Sequence, residues 1–147
     1  MSKRSAIFNT IHGIIAASTY INYVTDNDEN GWEWPEDKYP GAVIQIDDET
    51  KSRFAFSDGS TSMEDMQSEF YVNVIGFVRS AWSTDIEARK GEMINDIETS
   101  IVSDSTLGGL VADIIAQTED SDHTVYDGIG WVTVRFKGLY FYNHADV

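Results

Sequence analysis

The chain has 147 residues, no cysteine, and a formal net charge of −15 from 25 acidic and 10 basic residues. Its length suits one domain around a single core, and a content of 41% hydrophobic and 12% aromatic residues is too apolar for a disordered chain. The absence of cysteine excludes disulfides and thiolate chemistry, and the acidic balance argues against nucleic-acid or membrane-surface binding. No apolar run approaches the roughly 20 residues of a membrane span, so we expect a soluble protein made in the cytoplasm.

The first predicted element is a helix from Ser5 to about Tyr23. Its isoleucines recur at helical spacing and fall mostly on one stripe, and Ser5 can cap the first turn. An acidic loop follows the helix and ends at the sequence KYPG.

Three strands are predicted next. The first is Gly41 to Asp47, and the second, SRFAFS, alternates on Phe54 and Phe56. The third runs from Ser68 to Ala81 with apolar residues on alternate positions, and Gly76 interrupts that alternation as a β-bulge would.

The C-terminal half predicts a helix and two more strands. The helix covers Ser83 to Asp104, and the strands cover Leu110 to Glu119 and Gly130 to His144. The apolar run from Leu110 to Glu119 could also be a short helix. In the last strand Gly138 again breaks the alternation. The order α-β-β-β-α-β-β predicts an α+β fold, namely a mostly antiparallel sheet of four to five strands with two helices packed on one face.

The acidic loop DNDENGWEWPED has the residue spacing of an EF-hand calcium loop. The candidate oxygen ligands are Asp26, Asp28, Asn30 and Asp37. Three features argue against calcium: an aspartate replaces the usual bidentate glutamate, Glu33 stands where an apolar residue is normal, and Pro35 and Pro40 prevent a continuous exit helix. We therefore favour a solvated acidic turn without a metal, and a stand-alone calcium loop is the alternative.

Two tryptophans, Trp32 and Trp34, lie in this polar loop. Aromatic residues of this kind are enriched at protein interfaces, so both are candidates for contact with a partner. The alternative is that they fold back onto the edge of the core.

No group of residues signals catalysis. The three histidines, His12, His123 and His144, have no zinc-binding spacing, and no serine lies in a G-x-S-x-G sequence. The sequence TLGGL lacks the lysine of a phosphate loop, and a glycosidase-type carboxylate pair has no fixed spacing by which to find it. We expect neither an enzyme nor a bound cofactor.

The sequence resembles the tail-terminator, or tail-completion, proteins of long-tailed bacteriophages. The resemblance lies in the order and length of the elements over residues 5 to 143, and includes Tyr39-Pro40 before a strand, the Val-rich strand from Tyr71 to Val78, and the final strand from Trp131 to Tyr142. The long acidic loop with its tryptophans departs from the family pattern, and its role stays open.

The resemblance implies a virion protein that forms a homo-oligomeric ring, a hexamer, at the capsid-proximal end of the tail. Such a ring ends polymerisation of the tail tube protein and joins the tail to a neck or connector protein. The outer face of the last strand, with Trp131, Arg135 and Lys137, would then meet acidic residues of a neighbouring subunit or ring. DNA would pass through the acidic channel without specific binding. The alternative role of the negative charge is only to keep the protein soluble.

Other functions fit parts of the sequence. A neck or stopper connector protein belongs to the same class and is poorly separated from a terminator by sequence. A small acidic inhibitor that mimics DNA and blocks a host nuclease would need acids spaced like phosphates along one surface, whereas the acids cluster in loops. A calcium-binding module would be stabilised by calcium.

Overall fold

The structure is a computed structural model and describes residues 3–26, 34–53, 66–80, 83–104, 106–121 and 128–142. It contains two helices and five strands, which in chain order are α1 (Lys3–Ala16), β1 (Tyr23–Thr25), β2 (Gly41–Arg53), β3 (Met66–Arg79), α2 (Ser83–Val102), β4 (Asp113–Ser121) and β5 (Ile129–Tyr142). A single 3-10 turn, Glu36–Lys38, precedes β2.

The five strands form one sheet in the order β1-β2-β3-β5-β4. The short β1 runs parallel to β2, and the other neighbours are antiparallel. The two central strands, β3 and β5, have 14 residues each and pair without a break from Met66 opposite Tyr142 to Arg79 opposite Ile129. The predicted α+β class with a mostly antiparallel sheet is therefore confirmed.

Both helices cover the same face of the sheet and enclose the main core. Alternate residues of the central strands point toward them, and each helix contributes one apolar stripe, as the period of each element predicts. The strand residues are Phe70, Val72, Val74, Val132, Val134 and Phe136, and the helix residues are Ile7, Ile11, Ile15, Ile86, Met93, Ile97 and Ile101. The predicted packing of two helices on one face is confirmed.

A second, smaller apolar cluster lies on the opposite face, at one end of the sheet. Its buried members are Trp34, Tyr39, Val43, Phe77 and Ile129. The segment before β2 supplies two of its three buried aromatic residues, Trp34 and Tyr39. Trp34 lies so close over Gly41 that a Cβ there would be 2.5 Å from its ring. The acidic loop is thus followed by aromatic side chains that pack over this end of the sheet.

The first helix is shorter than predicted. It ends at Ala16, and residues up to Tyr23 leave it for strand β1. The Ser18 hydroxyl accepts a hydrogen bond from the Tyr20 backbone N–H at 3.1 Å, which offers the chain a turn in place of another helical turn. Asn22 then anchors β1, because its side-chain amide donates to the Tyr39 carbonyl at 2.8 Å.

The predicted bulge at Gly76 is wrong, and Gly138, which also breaks the alternation, marks no bulge. Both glycines lie in regular register. They leave room for large neighbouring side chains, since an added Cβ would lie 2.5 Å from Met93 at Gly76 and 2.2 Å from the Phe70 ring at Gly138. The register shifts lie elsewhere, between Asp47 and Glu49 in β2 and in β4. Large core side chains, not a change in strand path, explain these glycines.

The other predicted elements differ from the structure at their bounds, and one predicted strand is not a separate element. The second helix ends at Val102, two residues before the predicted end, and the following strand begins at Asp113. In place of a separate strand SRFAFS, β2 continues to Arg53, and Phe54 and Phe56 lie outside the described residues. Of the described part of the chain, neither helix is long and apolar enough to cross a bilayer.

Candidate functional site

The face of the sheet opposite the helices carries most of the predicted contact residues. We call this surface the open face and define it by Glu69, Tyr71, Asn73 and Ile75 of β3, Trp131, Thr133, Arg135, Lys137 and Leu139 of β5, and Ile115 of β4. All are partly buried except Ile115, which is 51% exposed. Among the described residues, both helices lie on the other side of the sheet.

Cross-strand contacts hold the two bases of the open face in place. The Arg135 guanidinium lies 4.3 Å from the centre of the Tyr71 ring, and its Nη1 donates to Asn73 Oδ1 at 3.2 Å. The Lys137 ammonium lies 3.9 Å from a carboxylate oxygen of Glu69, with the two side chains 38% and 44% exposed. An ion pair this exposed adds little stability, so its main effect is to orient the lysine on the surface.

Two further bases lie over aromatic rings at the end of the sheet covered by the second cluster. The Lys38 ammonium is 4.0 Å from the centre of the Tyr23 ring, and the Arg79 guanidinium is 5.9 Å from that of Tyr39. Contacts of this type are worth about 0.5–1 kcal/mol at exposed sites. The sequence did not reveal these pairs, because the partners are distant along the chain and meet only in the folded structure.

Of the two loop tryptophans, the structure describes only Trp34, and its side chain is buried. Trp34 is 8% exposed and stacks edge-on against Tyr23 and Phe77, with ring centres 5.1 and 5.3 Å apart. It follows the alternative prediction, in which the ring folds back on the core edge. Trp32 lies outside the described residues, and Trp131 packs partly buried against the same cluster. A partner contact at Trp32 or Trp131 stays a prediction.

Half of the calcium-loop candidates are described. Asp26 is exposed just after β1, and Asp37 is exposed within the 3-10 turn, whereas Asp28 and Asn30 lie outside the described residues. The chain enters β2 at Gly41 after that single turn, so the predicted lack of an exit helix is confirmed. No group of three or more histidines and acids in the described ranges is arranged to hold a metal ion, and a calcium site in the full loop stays a prediction.

Acidic groups lie on α2 and along β4, where Asp113 and Asp120 are paired with Leu139 and Thr133 and so lie on the same side of the sheet as Arg135 and Lys137. Glu98 of α2 and Glu119 of β4 form a carboxyl pair, and the hydrogen bond from one to the other raises the pKa of Glu119, with burial adding to the effect. On the other flank of α2, burial and the Glu92 carboxylate raise the pKa of Tyr20 to about 12. The Ser18 hydroxyl donates a short hydrogen bond to Asp96 and so ties the end of α1 to α2.

A cavity of about 300 Å³ opens between α1 and β2. It is lined by Arg4, Ser5, Phe8, Asn9 and Ile46. The described residues of this lining are one cation, two neutral polar residues and two apolar residues.

Comparisons with known proteins add a fold likeness at low similarity. No family model matches the sequence, and no curated protein matches it. A chain in a solved structure titled "Virion of native gene transfer agent (GTA) particle" aligns over 95% of this chain and 95% of its own length, with 6% identity and a TM-score of 0.43. At these values the likeness identifies no function.

Proposed function

We propose that this chain is a structural protein of a phage-like virion, and that it assembles as a homo-hexameric ring at the capsid-proximal end of the tail. The ring ends polymerisation of the tail tube protein and joins the tail to a neck or connector protein. The chain acts through its surfaces and catalyses no reaction.

The observation that carries this proposal is the open face. A sheet surface of partly buried apolar residues, ordered bases and the exposed Ile115 is suited to contact another protein. Its central strands are β3 and β5, the two elements on which the resemblance to tail-terminator proteins rests. Tyr39-Pro40, the third feature of that resemblance, stands directly before β2.

The charge of the chain is compatible with a channel for DNA. A ring of subunits that each carry −15 repels phosphate, so a genome passes through the ring without being held. Cationic linings would instead bind DNA through release of its counterions. In this proposal DNA is a passing cargo, and the lasting partners are proteins.

Electron microscopy of particles produced with the gene silenced tests the proposal. We expect full capsids without tails beside free tails of abnormal or unregulated length. Full capsids beside free tails of normal length would instead assign the chain to the neck or stopper proteins. Normal tailed particles would overturn both assignments, and a nuclease-inhibition assay would then test the chain as an acidic DNA mimic.

A further inference from the structure

We propose that the outer edge of strand β4 binds an extended segment of a partner protein that carries lysine or arginine residues, and that this segment joins the sheet as an additional strand. The inference concerns a site on a single copy of the chain, so it goes beyond the proposed ring and does not depend on it. Three observations meet at this edge: unpaired backbone, acidic side chains and exposed apolar side chains.

The backbone of β4 (Asp113–Ser121) forms one border of the sheet. Its inner edge pairs with β5, and no strand among the described residues pairs with its outer edge. Such an edge presents N–H and C=O groups to which an extended peptide can bind by β-strand addition. Nine residues at about 3.3 Å each give an edge of about 30 Å, long enough for a peptide of eight residues. The register shift between Ala116 and Thr118 divides this edge into two straight runs.

Strand β4 carries acidic residues on both faces of the sheet and no base. The strand register places Asp113 on the open face and Glu119 on the helix side, where Glu98 of α2 forms the carboxyl pair with it. The C-terminal part of α2, residues 91 to 102, also contains no lysine or arginine. Cations on an added strand would therefore meet a carboxylate on either face, and the two like charges of the carboxyl pair would gain a counter-ion.

The bases of the neighbouring strand β5 make contacts on its other side. Arg135 stacks on Tyr71 and donates to Asn73, and Lys137 pairs with Glu69. All three partners belong to β3, which lies on the side of β5 away from β4. These contacts direct the two cations toward the middle of the sheet, so the outer edge keeps its acidic character.

The exposed large hydrophobic residues of the described chain border the same edge. They are Ile115, which is 51% exposed, and Val102, which is 43% exposed. Ile115 lies on the open face of β4, opposite Lys137. Val102 follows Glu98 by one helical turn, on the flank of α2 that lies beside β4. A strand that alternates apolar and basic residues can therefore contact both kinds of side chain at this edge.

The acids of β4 also determine which strands are disfavoured. Charged residues on edge strands commonly prevent uncontrolled pairing with other sheets. Two β4 edges of this chain would repel each other, because like charges on neighbouring strands are destabilising. The charge therefore disfavours a second copy that pairs through its own β4, and it favours a basic strand from another protein.

Binding of synthetic peptides to the full chain tests the inference. The probe is a fluorescently labelled peptide of eight residues that alternates lysine and valine, and fluorescence anisotropy measures its affinity. One control peptide alternates glutamate and valine. A second control is the lysine peptide with its two central valines replaced by proline, which keeps the charge but disrupts strand pairing. We expect the probe to bind about tenfold or more tightly than either control.

Hydrogen exchange measured by mass spectrometry locates the bound peptide. An added strand satisfies outward-facing N–H groups of β4, so we expect their exchange to slow by about tenfold at saturating probe. Exchange in β1, which lies at the opposite edge of the sheet, should not change.

Two variants test the side chains of the site. Glu98→Gln/Glu119→Gln should weaken binding of the probe by about tenfold, the combined effect of two surface ion pairs. Ile115→Lys should weaken it as well, because a base replaces an exposed apolar residue. The control Glu36→Gln/Asp37→Asn removes two exposed acids before β2, on the other half of the sheet, and should bind like the wild type. Circular dichroism establishes that each variant is folded, and Ile115→Lys serves alone if the glutamine variant is not.

Three results would overturn the inference. Equal binding of the probe and the proline peptide, without protection of β4, would indicate non-specific attraction of cations. No binding of the probe to the folded wild type would leave the acids of β4 with a protective role only. Protection of β4 through self-association of the wild type, without peptide, would assign the edge to a second copy. The role in tail assembly is tested separately, by the particles produced with the gene silenced.

Discussion

At the scale of single residues, two glycines show how the core dictates sequence in the central strands. Gly138 lies under the Phe70 ring and Gly76 under Met93, and neither position has room for a methyl group. The alternation of apolar residues breaks at these positions because a neighbour fills the space, so a pattern that usually indicates a bulge has a different cause here.

Replacing Gly138 with alanine should therefore destabilise the fold by overpacking. The new Cβ would lie 2.2 Å from Phe70 Cζ, and relief of such a clash costs about 1–3 kcal/mol. Urea unfolding measures this loss. The control is Gly91→Ala, in the exposed part of α2 where nothing lies within 4 Å of the added Cβ, and it should stabilise the protein by about 0.5–1 kcal/mol. Equal effects of the two substitutions would refute the packing explanation.

Two carboxyl groups should make opposite contributions to the pH dependence of stability. Hydrogen bonds from the Thr106 hydroxyl and the Gly108 N–H lower the pKa of Asp104, so its contribution is present above its ordinary pKa and is lost as pH falls through the lowered value. The pKa of Glu119 is raised by Glu98, so its contribution is present at low pH and is lost as pH rises through the raised value.

Thermal melts from pH 3 to 7 of Asp104→Asn and Glu119→Gln test these signs. We expect Asp104→Asn to lower the melting temperature near pH 7 and to approach the wild type in acid. Glu119→Gln should match the wild type in acid and equal or exceed its stability near pH 7. Parallel pH profiles of both variants and the wild type would contradict the assignment.

At the scale of elements, the sequence predicted the long, periodic helices and strands but not the short ones. The period-2 pattern of β3 and β5 and the isoleucine spacing of α2 predicted both their type and their buried faces. Strand β1 has three residues, too few for a period, and its place depends on parallel pairing with β2. The buried position of Trp34 was equally beyond the sequence, because it requires Tyr23 and Phe77 to meet from separate strands.

The sequence also predicted only part of the candidate contact surface. Strand alternation placed Trp131, Arg135 and Lys137 on one face, and the structure has them there. Their partners Tyr71, Asn73 and Glu69 depend on the register between β3 and β5, which the sequence does not specify.

The connection from Asp26 to Asp37 should not depend on calcium for its stability. The chain passes from a 3-10 turn directly into β2, and so the exit helix that completes an EF-hand is lacking. We expect equal melting temperatures with calcium and with a chelator, measured by circular dichroism. An increase of several degrees with calcium, absent from Asp26→Asn/Asp28→Asn, would establish a stand-alone calcium loop.

At the scale of the whole molecule, the layered fold separates two tasks. The helices and one face of the sheet enclose the core, and the opposite face remains available for contact over much of its length. The edge strand β4 carries acids and an irregular register, and both features discourage uncontrolled pairing with the edges of other sheets.

The different surroundings of two tryptophans also provide an optical signal. Trp34 is shielded inside the aromatic cluster in a single copy, whereas Trp131 lies partly exposed on the open face. Ring formation on that face would remove water from the Trp131 indole and shift its fluorescence to shorter wavelength, while the emission of Trp34 would stay unchanged until the chain unfolds. The difference spectrum between the wild type and Trp131→Phe therefore follows assembly in real time, independently of folding.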